Sequence, residues 1–539
     1  MARKPKPDPS GSHEQLSLNF DEVIESAKVY SREEIAAKGQ QEAGGQAYDP
    51  TEQTAVYMRR AVQFEEDWET TIRKARERLL EKDARELYLE FITDLKDQLE
   101  QKTTKSARLG SLLEQVAIRG LGMSRQQLRV QRPSKGGTKW RVHIDGQSVE
   151  RHLNDHIVGE YFLNPVAAYT DEGESHFPLI GASDVSQHRS AVPVPARFFK
   201  RSVPFVLNNA AGTLFDGNRK YENVFNPRPD ETLLRWMLID PSYQDELEPE
   251  DYERCIASAM DVGQYKFDLE YLLKRDKRVP EVIFRDGSLF PQDAYLDNFV
   301  VESKRGDFTR EAIRELLDCL LYAQNSGLVY CGVSKNVQLK VYSAVVDWFI
   351  ERHVDKNWEI GNYTLNDGQA MSLLLSSPTF VGDDLRQAIS TCLIRRSFTT
   401  RADLNSRANL DDLGSYFSRY EDRDIDIRPF RRLCEIAHVY MLFVGHSKSP
   451  QQQLPRYEFF HHESLGSVHS VARKILSALR HCGLMRDEDH SFMADKPIAY
   501  LLPSVTQHAH LLSKDVGKHI DRATGQWIMA QYSSLIPRI

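Results

Sequence analysis

The chain has 539 residues, 41% of them hydrophobic, and its 70 Lys and Arg against 78 Asp and Glu leave a formal net charge of −8. That length accommodates roughly two to four domains, and the acidic balance excludes an overall basic nucleic-acid-binding surface while leaving room for a local positive channel. No apolar run is long enough to span a bilayer, and Met1-Ala2-Arg3-Lys4-Pro5-Lys6-Pro7 leads into polar sequence, so the expectation is a cytoplasmic protein with no membrane contact.

Residues 1–50 are rich in Pro, Gly, Ser, Gln and Glu and poor in apolar side chains, the composition of a disordered tail. From 51 to 130 the pattern turns helical: Tyr57, Ala61, Phe64, Trp68, Ile72, Leu79, Leu80, Leu87, Phe91, Leu95 and Leu99 recur mostly three, four or seven apart between charges. Long amphipathic helices of this kind serve equally as a dimerisation arm or as a lid on the chain's own core. Residues 131–176 read as a small β-hairpin region around the turn Ser134-Lys135-Gly136-Gly137.

The first part of a core spans 177–340. It opens with the apolar run Phe177-Pro178-Leu179-Ile180-Gly181-Ala182-Ser183-Asp184, a strand ending in a carboxylate. The segment 196–207, the break Asn208-Asn209-Ala210-Ala211-Gly212 and Thr213-Leu214-Phe215 predict antiparallel neighbours to that strand. A helix follows over about 249–274, then a second strand Val282-Ile283-Phe284-Arg285-Asp286, a helix over about 309–323 and the strand 328–335. Residues 341–454 read as a mainly helical insertion, and 455–539 as the C-terminal part of the core. The six cysteines, Cys255, Cys319, Cys331, Cys392, Cys434 and Cys482, stand singly with no Cys-x-x-Cys pair and read as free or buried thiols.

Strand with Asp, antiparallel strands, helix, strand with Asp, helix, strand is the element order of an RNase H-like mixed sheet. The predicted fold class is therefore α/β, with a helical N-terminal extension and helical insertions. Right-handed β-α-β crossovers make the later strands parallel and keep their C-terminal ends on one side of the sheet. In that topology Asp184 and Asp286 are neighbours, and two adjacent carboxylates repel unless a divalent cation lies between them.

These residues resemble the NurA nucleases, which work with HerA-type hexameric DNA translocases. Ala182-Ser183-Asp184-Val185-Ser186 stands where that family has an apolar strand ending in Asp-Gly-Ser, with Val185 in place of Gly. Phe284-Arg285-Asp286-Gly287-Ser288-Leu289 matches its Asp-Gly-x-Leu strand, and Tyr330-Cys331-Gly332-Val333-Ser334-Lys335 its Gly-x-Ser-Lys strand. Arg456-Tyr457-Glu458 matches a late Arg-x-Glu, and Pro497 to Pro503, followed by His508 and His510, matches a closing segment with Tyr and His. The resemblance covers about 177–520.

The resemblance implies a metal-dependent deoxyribonuclease acting in DNA repair or end processing, or in anti-phage defence. The chain would be a homodimer bound to DNA and to a HerA-type ATPase. It implies Mn2+ or Mg2+ held by Asp184, Glu270, Asp286 and His508, with Lys335 at the scissile phosphate and Tyr500 orienting a base or phosphate. Asp268 competes with Glu270 for the helical acid, and His510 with His508, about 200° away around the same helix. No Gly-x-x-x-x-Gly-Lys-Ser/Thr or Gly-x-Gly-x-x-Gly loop occurs, so a motor must come from a separate chain. Two other readings stay open: a catalytically silent RNase H-like scaffold that docks a translocase and binds DNA, and a helical adaptor with an unrelated core.

Overall fold

The computed structural model describes residues 69–101, 106–123, 127–135, 137, 139–165, 178–192, 203–216, 221–224, 249–274, 279–291, 304–358, 365–375, 389–396, 425–436, 438–445, 453–482, 505–515 and 518. All of these except 69 and 70 belong to the unit Thr71–Ile539. The expected tail at 1–50, the beginning of the helical region at 51–68 and Tyr500 lie outside the described residues.

Among the described residues, nine strands form one sheet. They are β3 (Ile157–Pro165), β4 (Ile180–Val192), β5 (Val203–Phe215), β6 (Tyr221–Val224), β7 (Val282–Asp286), β8 (Val329–Ser334), β9 (Ile389–Arg396), β10 (His438–Gly445) and β11 (Arg456–His461). Their order is β3-β9-β10-β11-β8-β7-β4-β5-β6. β4 pairs in parallel with β7, and β7 in parallel with β8; every other pairing in the sheet is antiparallel. A separate two-stranded ribbon joins β1 (Leu128–Gln131) to β2 (Arg141–Ile144). The fold class is α/β with a large mixed sheet.

The central strands are sequence runs with little alternation, because both faces are covered. Val282, Ile283, Phe284 and Arg285 of β7 and all six residues of β8 are buried. On one face Ile283, Tyr330 and Phe460 pack with side chains of α4 (Pro249–Phe267), α5 (Lys304–Ser326) and α8 (Arg428–Ile436). On the other, Ala182, Phe284, Val333 and Tyr457 pack with α9 (Val468–Cys482) and with Val505 and Ala509 of α10 (505–515). Alternation along each strand therefore assigns every second side chain to one of two apolar layers.

Several segments depart from the expected pattern. Asp184 does not end its strand, since β4 continues to Val192 along its pairing with β5. The region 131–176, expected as a small hairpin, also holds a helix at Gly146–His156 and β3, which joins the large sheet. The residues Asn208 to Gly212 do not break the strand: β5 runs unbroken and pairs with β4 from Val192–Val203 to Ile180–Phe215. Small and amide side chains are compatible with a strand whose ladder is satisfied along its full length. The stretch 341–454, expected to be mainly helical, holds α6 (Tyr342–Phe349), α7 (Asp367–Leu375) and α8, but it also extends the sheet with β9 and β10. Both strands are buried along most of their length, and such apolar runs cannot be told from buried helix by periodicity.

From Ile72 onward, the part of the apolar stripe of the N-terminal helices that lies within the described residues is mostly covered by the same chain. In α1 (Ala84–Glu100), Asp83 caps the first turn, its side chain accepting from the backbone N–H groups of Arg85 and Glu86 at 2.9 and 3.0 Å. Leu87, Tyr88, Phe91, Ile92, Leu95 and Leu99 are buried. Tyr88 packs against Phe162 of β3 and Phe91 lies edge-on to Trp348 of α6, whose Nε1 donates to Asp94 at 2.6 Å. Truncating this anchor as Trp348→Ala should cost about 3–5 kcal/mol in urea unfolding. Trp348→Phe, which keeps most of the packing and loses the bond to Asp94, should cost about 1–2 kcal/mol. Wild-type stability in both variants would show that α1 is not docked through Trp348.

Candidate metal centre

Asp184 and Asp286 stand on adjoining parallel strands. The pairing of β4 with β7 runs from Ile180–Val282 to Ser183–Arg285, and the two acids are the next residues on their strands. Two residues on from Ala182 and Phe284, they point toward the layer that contains α10. From α10, His510 Nδ1 lies 2.7 Å from Asp184 Oδ2, and Ser513 Oγ donates to the same oxygen at 2.8 Å. His510 Nδ1 is also 4.0 Å from Asp286 Oδ2. One donor atom from each of Asp184, Asp286 and His510 falls within 4.8 Å of the other two. Lys335, the residue after β8, places Nζ 2.5 Å from Asp286 Oδ2.

Burial, and then the neighbouring charge of Asp184, push the Asp286 carboxyl up to about 6, while Lys335 works against both. Two carboxylate oxygens and one imidazole nitrogen form a donor set that suits Mn2+ or Mg2+. Protonated, His510 Nδ1 donates to Asp184; deprotonated, the same nitrogen is a ligand facing both carboxylates. Ser513 Oγ donates to Asp184 Oδ2 at 2.8 Å and lies 3.0 Å from the His510 carbonyl oxygen, so the hydroxyl braces the carboxylate.

The structure differs from the expected ligands at two positions. His510, not His508, is the imidazole beside the carboxylates, because the 200° between them on α10 lets only one face β4. His508 is half-buried, and desolvation lowers its pKa. Glu270, expected as the helical acid, is exposed and outside the cluster. The chain leaving α4 winds into a π-helix over Asp268–Leu273, which turns Asp268, Leu269, Leu272 and Leu273 inward and leaves Glu270 outward.

Asp268, the competing acid, does not join the cluster either. It is fully buried and accepts from the Tyr330 hydroxyl, in the layer on the opposite face of the sheet.

That opposite layer braces the two strands. Gln264 of α4 donates from Nε2 to Ser183 O at 3.3 Å, to Ser183 Oγ at 3.2 Å and to Asp286 O at 3.3 Å, bridging β4 and β7 where they part. Arg285, 2% exposed, lies 4.2 Å over the Tyr265 ring, pairs with Asp261 and donates to Ser288 O. Sequence reasoning missed Gln264 and Ser513. Ser513 carries a readable signal, since three residues after His510 it shares that helix face; Gln264 carries none, because its partners are set only by the tertiary fold. No protein-family model matches the chain, and no curated protein matches it.

The position of Asp268 generates a pH test. Desolvation raises its folded pKa to about 6, so the native state favours the protonated acid and loses stability as pH rises through about 6. Asp268→Asn keeps an acceptor for Tyr330 and has no charge to bury. It should match wild type near pH 4 and exceed it by on the order of 2 kcal/mol above pH 7. Its Mn2+ affinity should be that of wild type. Thermal unfolding across pH and calorimetric Mn2+ titration read both, and lost Mn2+ binding would make Asp268 a ligand after all.

Proposed function

We propose that this chain is a metal-dependent DNA nuclease of the NurA kind, which hydrolyses phosphodiester bonds alongside a HerA-type ATP-driven translocase in DNA end processing or anti-phage defence. The observation that carries the reading is the convergence of Asp184, Asp286 and His510 donors within 4.8 Å, just past the last parallel pair of β4 with β7. The order β6-β5-β4-β7-β8, with β4, β7 and β8 parallel and β5 and β6 antiparallel, supports an RNase H-like core. A cytoplasmic homodimer is part of the same proposal.

Asp184, Asp286 and His510 would hold the cation, which when bound supplies Lewis-acid stabilisation and an acidified water. Asp184 orients the His510 ring through Nδ1, and Ser513 fixes the carboxylate that does so. Gln264 keeps the two acidic strands from separating under like-charge repulsion. Lys335, its side chain 31% exposed, is the cation best placed to meet a phosphate and offset charge on the pentacovalent transition state.

Purified protein with Mn2+ and linear DNA, with and without the translocase, tests the reading. Asp184→Asn, Asp286→Asn and His510→Ala should each reduce cleavage by at least about a hundredfold, whereas His508→Ala should stay within about threefold of wild type. Lys335→Ala should lower the rate by about ten- to a thousandfold with little change in Mn2+ affinity. A second reading, a silent scaffold that binds DNA for a motor, is favoured by Val185 in place of Gly and by Glu270 lying outside the cluster. DNA left intact with metal and motor both present, yet still bound, would decide for the scaffold.

A further inference from the structure

Glu458 of β11 is 0% exposed, and every described contact of its carboxylate is occupied. Oε1 pairs with Arg396 and with Arg456, each at 2.7 Å. Oε2 accepts from Ser288 Oγ at 2.8 Å and from the Leu289 backbone N–H at 3.0 Å. Arg396 also donates to Ser288 Oγ at 2.9 Å. Those contacts hold Glu458 ionised, well below the usual carboxylate range in spite of its burial.

What Glu458 grips is the turn that follows Asp286. Gly287 takes φ +107°, a conformation that favours glycine, and its N–H donates to Val333 O at 2.9 Å. The turn then lies directly on the backbone of β8: a Cβ at Gly332 would come within 2.4 Å of Leu289 N and 2.9 Å of Gly287 O. Glu458 is in register with Gly332, so its side chain passes over the one residue of β8 that offers no side chain in the way. From below, Arg285 donates to Ser288 O.

We propose that Glu458 is a positioning residue of the metal centre: by fixing Ser288 and Leu289 against Gly332 it sets the Asp286 carboxylate opposite Asp184 and His510. Glu458 touches no reacting atom, and the proposal rests on the metal-centre reading. Outer groups that orient metal ligands alter affinity by about ten- to a hundredfold when removed.

Glu458→Gln tests it in the full-length chain with two readouts. Hydrogen exchange reads the grip without metal: the Leu289 amide should be protected in wild type and exchange at least tenfold faster in the variant, and unchanged protection would overturn the proposal. Calorimetric titration and the Mn2+ dependence of DNA cleavage read the positioning. The Mn2+ concentration for half-maximal response should rise about ten- to a hundredfold while the rate at saturating Mn2+ recovers to within about threefold of wild type.

A rate that stays low at all Mn2+ concentrations with unchanged Mn2+ affinity would assign Glu458 a merely structural role. If Glu458→Gln does not fold, Ser288→Ala removes one arm of the grip and should raise the Mn2+ requirement about three- to tenfold; no rise sinks the proposal. Wild-type protein that binds no Mn2+ at all would instead sink the metal-centre reading, and the amide exchange would still report on the grip.

Discussion

The parallel pairing of β4 with β7 is the constraint on which everything near the cluster depends. It ends one residue short of two acids that repel each other, so the sheet itself assembles an unfavourable charge arrangement. The chain offsets it from three directions: His510 and Ser513 on Asp184, Lys335 on Asp286, and Gln264 beneath both strands. Burial first, and the Asp184 charge second, still raise the Asp286 carboxyl pKa in spite of Lys335. On the proposed metal-centre reading, the repulsion between the two acids is what a bound cation would relieve.

The two layers around the sheet divide the labour. The layer with α10 carries the cluster of Asp184, Asp286 and His510. The layer with α4 and α5 carries a polar assembly of Gln264, Arg285, Asp261, Asp268 and Tyr330, in which Arg285 and Asp268 are buried to 2% and 0% exposure. Buried charge is costly unless paired and hydrogen-bonded. Here the pairing ties α4 and the π-helix after it to β4, β7 and β8 beneath the cluster.

Sequence reasoning reached the sheet because the Asp-terminated strands and the helices between them carry strong local patterns. Val282 to Asp286 and Val329 to Ser334 are short apolar runs with turns after them, and those signals survive folding unchanged. It did not reach β9 and β10, whose runs Ile389-Ser390-Thr391-Cys392-Leu393-Ile394 and Val439-Tyr440-Met441-Leu442-Phe443-Val444 carry no period that separates buried strand from buried helix. At the cluster, Asp286 and Lys335 were legible because they stand at or just past a strand end, and Asp184 because it follows an apolar run, although its strand continues to Val192. The choice between His508 and His510 was not, since it turns on the rotation of one helix about its axis, and the outward turn of Glu270 depends on a π-wound segment that no residue pattern announces.

His510 reaches Asp184 across 326 residues of sequence. The strands that carry the two acids can pair once β7 exists, but the imidazole and the Ser513 hydroxyl come from a helix far downstream of both. Closing so long a loop is slow relative to local pairing. The cluster is therefore assembled in stages along the chain: Lys335 can meet Asp286 once β8 is in place, whereas Asp184 gains His510 and Ser513 only after residue 513 has been made.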